Sequence, residues 1–429
     1  MTTSTRPPSV DSDSPDKPAV LTLASPTLTR DPVAGYSGLR ESGPLVRGCD
    51  LDGVSPMWFV TRYDDVKWVL SDPRFVTNPP GGGSNLREKM AKVLGVTEDL
   101  LGYMMGNMLD SDPPDHTRLR RLVTREFTVR RMAALRPRIQ EISDGLLAAL
   151  PGKATDGVVE LNEAFAYPLT MTVICELVGV PEEDREQWGQ WTAELHRLNR
   201  ETFGVTVKAI VDYIHALIER RRAEPAGDLL SGLVKVRDED GDRLSDVELV
   251  AMVLALSVAG HENTANMITN GIAALLTHPD QLDLLRAKPE LWPQAVDELL
   301  RWAGSVHVTR PRYASVDVEI GGVMVRAGES VQPLLTAADT DPRRFDDPER
   351  LDINRVVTAA EQHVAFGAGL HYCLGAALAR SEIEIAIGGL FREFPDVALA
   401  VDADTLAWKP IPGLRRLTGL RVQTLGGRA

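Results

Sequence analysis

The sequence predicts a mainly α-helical fold with a minor antiparallel β region. Helical periodicity dominates from Thr117 to the stretch before Ala314. One helix in that region is long and sharply bounded. Ser245 and Glu248 form a capping box, an apolar-periodic run follows, and nothing stops it before Thr277-His278-Pro279. At 1.5 Å per residue the run is about 50 Å long, enough to cross the middle of one large domain. After Ala314 the period becomes two. Val316, Val318 and Ile320 alternate with polar residues, Gly321-Gly322 turns the chain, and Val323 and Val325 resume the alternation as a β-hairpin.

The remaining elements follow in order. Residues 1–32 are rich in Ser, Thr, Pro and Asp and are expected to form a disordered tail, leaving 33–429 as a single domain. Met57–Thr61 reads as a short strand, after which Asp64 or Asp65 caps a helix through Val66, Val69 and Leu70. Asn78-Pro79-Pro80-Gly81-Gly82-Gly83 breaks regular structure, and a last helix is expected from about Leu374 to Phe391. No internal repeat, GxGxxG or P-loop pattern occurs.

The chain has 429 residues, 43% hydrophobic and 25% charged, an ordinary globular mixture. Length alone allows about three domains, but no linker divides the pattern. Three cysteines exclude a disulfide framework. The net charge of −14 argues against nucleic acid as a partner, which needs a basic footprint. The apolar stretch Val247 to Gly260 is interrupted by Glu248 and is too short to span a bilayer, and no secretory signal precedes the fold. No membrane and a cytoplasmic location are therefore expected.

The chemistry concentrates in Ala365-Phe366-Gly367-Ala368-Gly369-Leu370-His371-Tyr372-Cys373-Leu374-Gly375. Cys175, within Thr172-Val173-Ile174, reads as a small buried hydrophobe, and Cys49 has no neighbours worth naming. Cys373 differs, because its surroundings suit a thiolate. It opens a helix, whose dipole and free N–H groups favour an anionic sulfur. Gly367 and Gly369 allow a tight turn and close approach to a flat ligand. Phe366 packs beside the sulfur, His371 offers a donor, and Gly375 removes a side chain where the helix must come close.

Phe366, Gly369, His371, Cys373 and Gly375 resemble, in order and spacing, the haem-binding loop of the cytochrome P450 family, the haem-thiolate monooxygenases. The resemblance runs from about Val54 to the C-terminus and implies a single large P450-type domain. It also implies haem b, with Cys373 as the axial ligand of the iron. Glu298-Leu299-Leu300-Arg301 resembles the family's ExxR element, a structural network completed by a third arginine, for which Arg350 and Arg355 both qualify. His116-Thr117-Arg118-Leu119-Arg120 resembles the helix that grips a haem propionate through its His and second Arg, and Arg312 matches the propionate arginine before the hairpin.

Ala259-Gly260-His261-Glu262-Asn263-Thr264 resembles the oxygen-binding groove, in which the small Ala-Gly pair makes room and an acid followed by Thr delivers protons. Glu262 stands at the acid's place, but Asn263 replaces the Thr, and Thr264 lies about 100° further round the helix. Asn263 holding the relay water is one account. A substrate hydroxyl or amine filling the gap is another, and radical coupling within the substrate is a third.

Arg118, Arg120, Arg121, Arg125, Arg130 and Arg131 form a basic run that reads as a docking patch for an acidic electron donor. The resemblance implies an external ferredoxin with its reductase. The segment Asn78 to Met108, with Leu256, Ala259, Val306 and Val308, is expected to wall a pocket for a medium-to-large, mostly apolar substrate, as in natural-product tailoring. The competing readings are a peroxide-driven haem-thiolate enzyme and a non-catalytic haem-binding or sensor protein.

Overall fold

The computed structural model describes residues 20–81, 88, 90–92, 94–197, 199–236, 241–355 and 362–423. The expected tail up to residue 19 and Gly82-Gly83 lie outside the described residues. The helices that frame the site are α1 (Tyr63–Ser71), α2 (Asp115–Thr124), α3 (Tyr167–Val178), α4 (Asp246–Thr277), α5 (Trp292–Ala303) and α6 (Ala376–Glu393). The strands are β1 (Leu45–Cys49), β2 (Pro56–Val60), β3 (Phe75–Val76), β4 (Val158–Glu160), β5 (Arg312–Ala314), β6 (Val318–Ile320), β7 (Val323–Val325), β8 (Ser330–Pro333), β9 (Ala398–Leu399) and β10 (Arg421–Gln423).

The long helix forms as expected. Ser245 Oγ accepts from Glu248 N–H at 3.3 Å while the Glu248 carboxylate accepts from Ser245 N–H at 2.8 Å, which satisfies two amides the helix itself cannot. Leu249–Leu254 and most of His261–Leu275 are buried. A helix apolar on nearly all faces can only be the axis of the core, and α3, α5 and α6 all pack on α4. The hairpin β6–β7 also forms, turned by Gly321 and Gly322 at φ +54° and +85°, left-handed values that glycine adopts without a Cβ clash.

Four expectations need correction. Residues 20–32 are not a loose tail: Leu23 and Leu28 are buried with Tyr36, Met57, Phe59 and Leu334, and Cys49 N–H donates to Leu21 O. The first turn of α1 is not capped by Asp64 or Asp65. Asp341 Oδ2 accepts from Tyr63 N–H at 3.0 Å, so the cap comes from a distant part of the chain. The main sheet, in the order β1-β2-β8-β5-β3, is not wholly antiparallel, because β2 and β8 run parallel. Finally, α6 starts at Ala376 with Gly375 as its N-cap, so Cys373 lies in the loop just ahead of the helix.

Candidate active site

A cavity of about 400 Å³ lies between α4 and the loop that carries Cys373. One wall holds Ala259, Gly260, Asn263 and Thr264 of α4. The facing wall holds Phe366, His371, Cys373 and Gly375, with Leu378 and Glu382 of α6 behind them. Met108, Leu109, Leu256, Val306 and Val308 make much of the remaining lining apolar. Of the residues expected in the substrate wall, Met108, Leu256, Ala259, Val306 and Val308 are therefore in place. Tyr103 and Met104 pack on the core instead.

The loop geometry explains its glycines. Gly369 has φ +67°, and a Cβ there would lie 2.3 Å from Leu70 O and 2.7 Å from Ser71 Cα, backbone atoms of α1 that cannot yield. Gly367 also has a left-handed φ, +71°. Cys373 N–H donates to Phe366 O at 2.9 Å, closing the loop on itself. Cys373 is exposed and lines the cavity. Burial pushes its thiol up, opposed by the Gly375 N–H, Arg120 and Arg380. Cys175 is buried, and burial pushes it up to about 12, as befits an inert core thiol.

At one end of the cavity four nitrogen-bearing side chains converge. Arg312 donates to Thr77 Oγ1, which lies 3.4 Å from His371 Nε2. The His371 and His116 rings are 4.3 Å apart, and Arg120 donates to Tyr372 O at 2.7 Å. Burial first, then Arg312 and the neighbouring His116, push His371 down to about 3. Burial, Arg120 and Arg312 likewise push His116 down. Asp112 is the carboxylate acting on His116, His371 and Arg312, but it is already taken by the Thr77 and Asn78 amides. Both ring nitrogens of the buried His116 lack a partner. Buried donors arranged in this way suit an added anion.

Glu298 and Arg301 of α5 form a buried pair, with two bonds of 2.8 Å. The third arginine is Arg355, whose Nε donates to Glu298 Oε1 at 3.2 Å. Arg350 contributes its carbonyl, which accepts from Arg301 and Arg355. Arg301 also donates to Asp339 O and Pro348 O, so the network ties α5 to the segment that leads toward the Cys373 loop.

The sequence made no statement on two placements. Glu262 is not part of the cavity wall. Its carboxylate accepts from Tyr167 Oη at 3.1 Å and pairs with Arg416. Thr264 does line the cavity beside Asn263, despite its offset round the helix. The basic run is also partly spent. Arg118 pairs with Asp242 and Glu248, Arg131 pairs with Glu126, and Arg120 turns to the cavity. Arg121, Arg125 and Arg130 are exposed. Sequence reasoning missed Thr77, Asp112, Tyr167 and Arg416, none of which stands in a recognisable motif. It also missed Arg310, which lines the cavity and pairs with Asp110.

A family model described as Cytochrome P450 matches residues 191–288 and 286–399. The chain is 43% identical to the cytochrome P450 monooxygenase PikC of Streptomyces venezuelae, covering 96% of each chain. It is 43% identical to the vitamin D(3) 25-hydroxylase of Pseudonocardia autotrophica, covering 95% of this chain and 97% of that one. Among solved structures, the cytochrome P450 PksS of the Bacillus subtilis 168 bacillaene polyketide synthase superposes with a TM-score of 0.82. It is 34% identical, with 94% of this chain and 99% of that one covered. The chain belongs to the cytochrome P450 family. It is an oxidoreductase of the P450 monooxygenase type, and the family implies haem with a cysteine thiolate.

The residues present fit such a group. A sulfur faces the cavity, and two arginines stand at its end beside the buried His116, whose ring nitrogens have no partner. No set of three or more His, Cys, Asp or Glu that could hold a metal occurs among the described residues. No described helix is long and apolar enough to cross a membrane.

Proposed function

We propose that Cys373 is the axial ligand of haem b in an enzyme that oxidises a medium-to-large, mostly apolar organic substrate. The carrying observation is one cavity in which a thiol and an anion-seeking cluster face a small-residue stretch of α4. Haem held at Cys373 would supply reductive activation of O₂. Arg120, Arg312, His116 and His371 would hold the carboxylates of such a group, which need charge-assisted donors when buried. Phe366 keeps water from the sulfur, and Gly369 and Gly375 let the loop and helix come close. Ala259 and Gly260 leave room opposite Cys373.

Proton delivery falls to Glu262, Asn263 and Thr264. Glu262, held behind the wall by Tyr167 and Arg416, is the buried acid. Asn263 and Thr264 line the cavity, and the Asn263 amide, which both donates and accepts, holds the water that carries the proton inward. Electrons come from a ferredoxin and its reductase.

The test of the haem reading is the carbon monoxide complex of the reduced protein. The red-shifted Soret band of thiolate ligation is expected, and Cys373→Ser should abolish it. A wild-type protein without that band sinks the reading. The apolar lining and the polyketide setting of PksS support a secondary-metabolite intermediate as substrate. A ferric spin-state titration against macrolides, small peptides, indoles and steroids should show one class displacing the axial water. No response from any class would remove the support for a free, apolar substrate.

A further inference from the structure

Arg380 projects from the second turn of α6, beside the Cys373 loop. Its Nε donates to Asp297 Oδ1 at 2.8 Å, and its guanidinium carbon lies 4.6 Å from the centre of the Phe366 ring. Arg380 therefore covers the aromatic at the head of the loop that ends in Cys373, and its charge acts on the thiol.

Asp297, on α5, is itself held in place. Ala365 N–H donates to His363 Nδ1 at 3.2 Å, so that nitrogen is the acceptor and the ring proton sits on Nε2. Nε2 faces Asp297 Oδ1 at 3.3 Å. Burial pushes the Asp297 carboxyl up, but His363 and Arg380 outweigh it and hold the group below the usual carboxylate range. The His363 ring lies 5.8 Å from the Phe366 ring, on the same aromatic that Arg380 covers. One carboxylate thus gathers α5, α6 and the loop around a single ring.

A cation near the sulfur favours whichever state of the site carries more negative charge, which is the reduced one. A carboxylate at the same place would favour the oxidised state. Asp297 can therefore act in two ways of opposite sign: through its own charge, or by keeping Arg380 where it is. We propose that Asp297 and Arg380 are positioning residues for the thiolate, Asp297 pinning Arg380, and Arg380 fixing the Phe366 ring while biasing the site toward reduction. The proposal rests on the haem-thiolate reading above.

The experiment is an equilibrium redox titration of purified holoenzyme, with the reduced carbon monoxide spectrum recorded for each variant. Arg380→Gln should shift the ferric/ferrous equilibrium about tenfold toward ferric, 59 mV for one electron. Arg380→Lys, which keeps the charge but not the flat face, should recover more than half of that shift. Asp297→Asn should also shift toward ferric, and should add nothing in the Arg380→Gln background. Both side chains are about a third exposed, so neither replacement opens the core.

An unchanged equilibrium in Arg380→Gln overturns the proposal, and so does a shift toward ferrous in Asp297→Asn. A wild-type protein without the red-shifted band overturns the haem-thiolate reading instead. With the band present and the potentials unmoved, only the present inference falls.

Discussion

At the scale of single residues, the decisive facts are which groups face the cavity and which stand behind it. Asn263 faces it and Glu262 does not. If Asn263 holds the relay water, Asn263→Ala should raise peroxide release per NADH consumed several-fold and lower product yield, measured with a substrate that shifts the spin state. Unchanged coupling would leave Thr264 or the substrate as the carrier. A second residue-scale prediction concerns the ExxR network. Arg355 gives Glu298 a charge-assisted bond and donates to three carbonyls, whereas Arg350 enters only through its backbone. Arg355→Ala should cost about 2 kcal/mol in denaturant unfolding, and Arg350→Ala no more than about 0.5 kcal/mol. Motif spacing left these two arginines equivalent, because a chain position says nothing about which atom reaches a carboxylate. The same limit hid the partners of Glu262. Tyr167 and Arg416 are remote from it in sequence and carry no motif of their own. Cys373 was legible because its loop is local, and the glycines, aromatic and histidine that serve it are all close neighbours.

At the scale of elements, two glycines placed on the same family resemblance have different structural reasons. At Gly260 a Cβ would lie 2.6 Å from Ile174 Cδ1, the tip of a side chain on α3, so Ile174 must shift to admit a larger residue there. At Gly369 the obstacle is the α1 backbone, and φ is left-handed as well. Gly260→Ala should cost about 1–3 kcal/mol, and Ile174→Val should recover part of it in the double variant. Gly369→Ala should have no such side-chain rescue and should lose haem retention along with stability. Full recovery of Gly369→Ala by trimming a neighbouring side chain would show that the α1 contact is not the constraint. Local elements were legible for the same reason as the Cys373 loop. The α4 capping box and the Gly321-Gly322 turn are satisfied within a few residues of themselves. The pairing of β2 with β8 and the capping of α1 by Asp341 were not, since both join distant parts of the chain and leave no periodic trace.

At the scale of the whole molecule, charge is the quantity that matters for reduction. A chain of net charge −14 repels an acidic donor at long range. Attraction must therefore come from a local surface within about 8–10 Å, the screening length at moderate salt. Arg120 donates to Tyr372 O, which sets α2 directly beside the Cys373 loop. A donor docked on this side would stand close to the sulfur. The basic run that follows is less basic than its composition, because Asp242, Glu248 and Glu126 neutralise Arg118 and Arg131. Arg121, Arg125 and Arg130 are the arginines of that run that stand exposed on the surface. Reversing Arg125 and Arg130 to Glu should slow reduction by a ferredoxin about tenfold at low ionic strength. The difference should shrink as salt is raised, because screening removes steering but leaves short-range contacts intact. Arg118→Gln, which removes a half-buried charge lying between Asp242 and Glu248, should change the low-salt rate less. Stopped-flow reduction under carbon monoxide measures all three. Equal rates for the wild type and the double reversal at low salt would place the donor elsewhere, whereas a salt-independent slowing would mean that the arginines act by contact rather than by field.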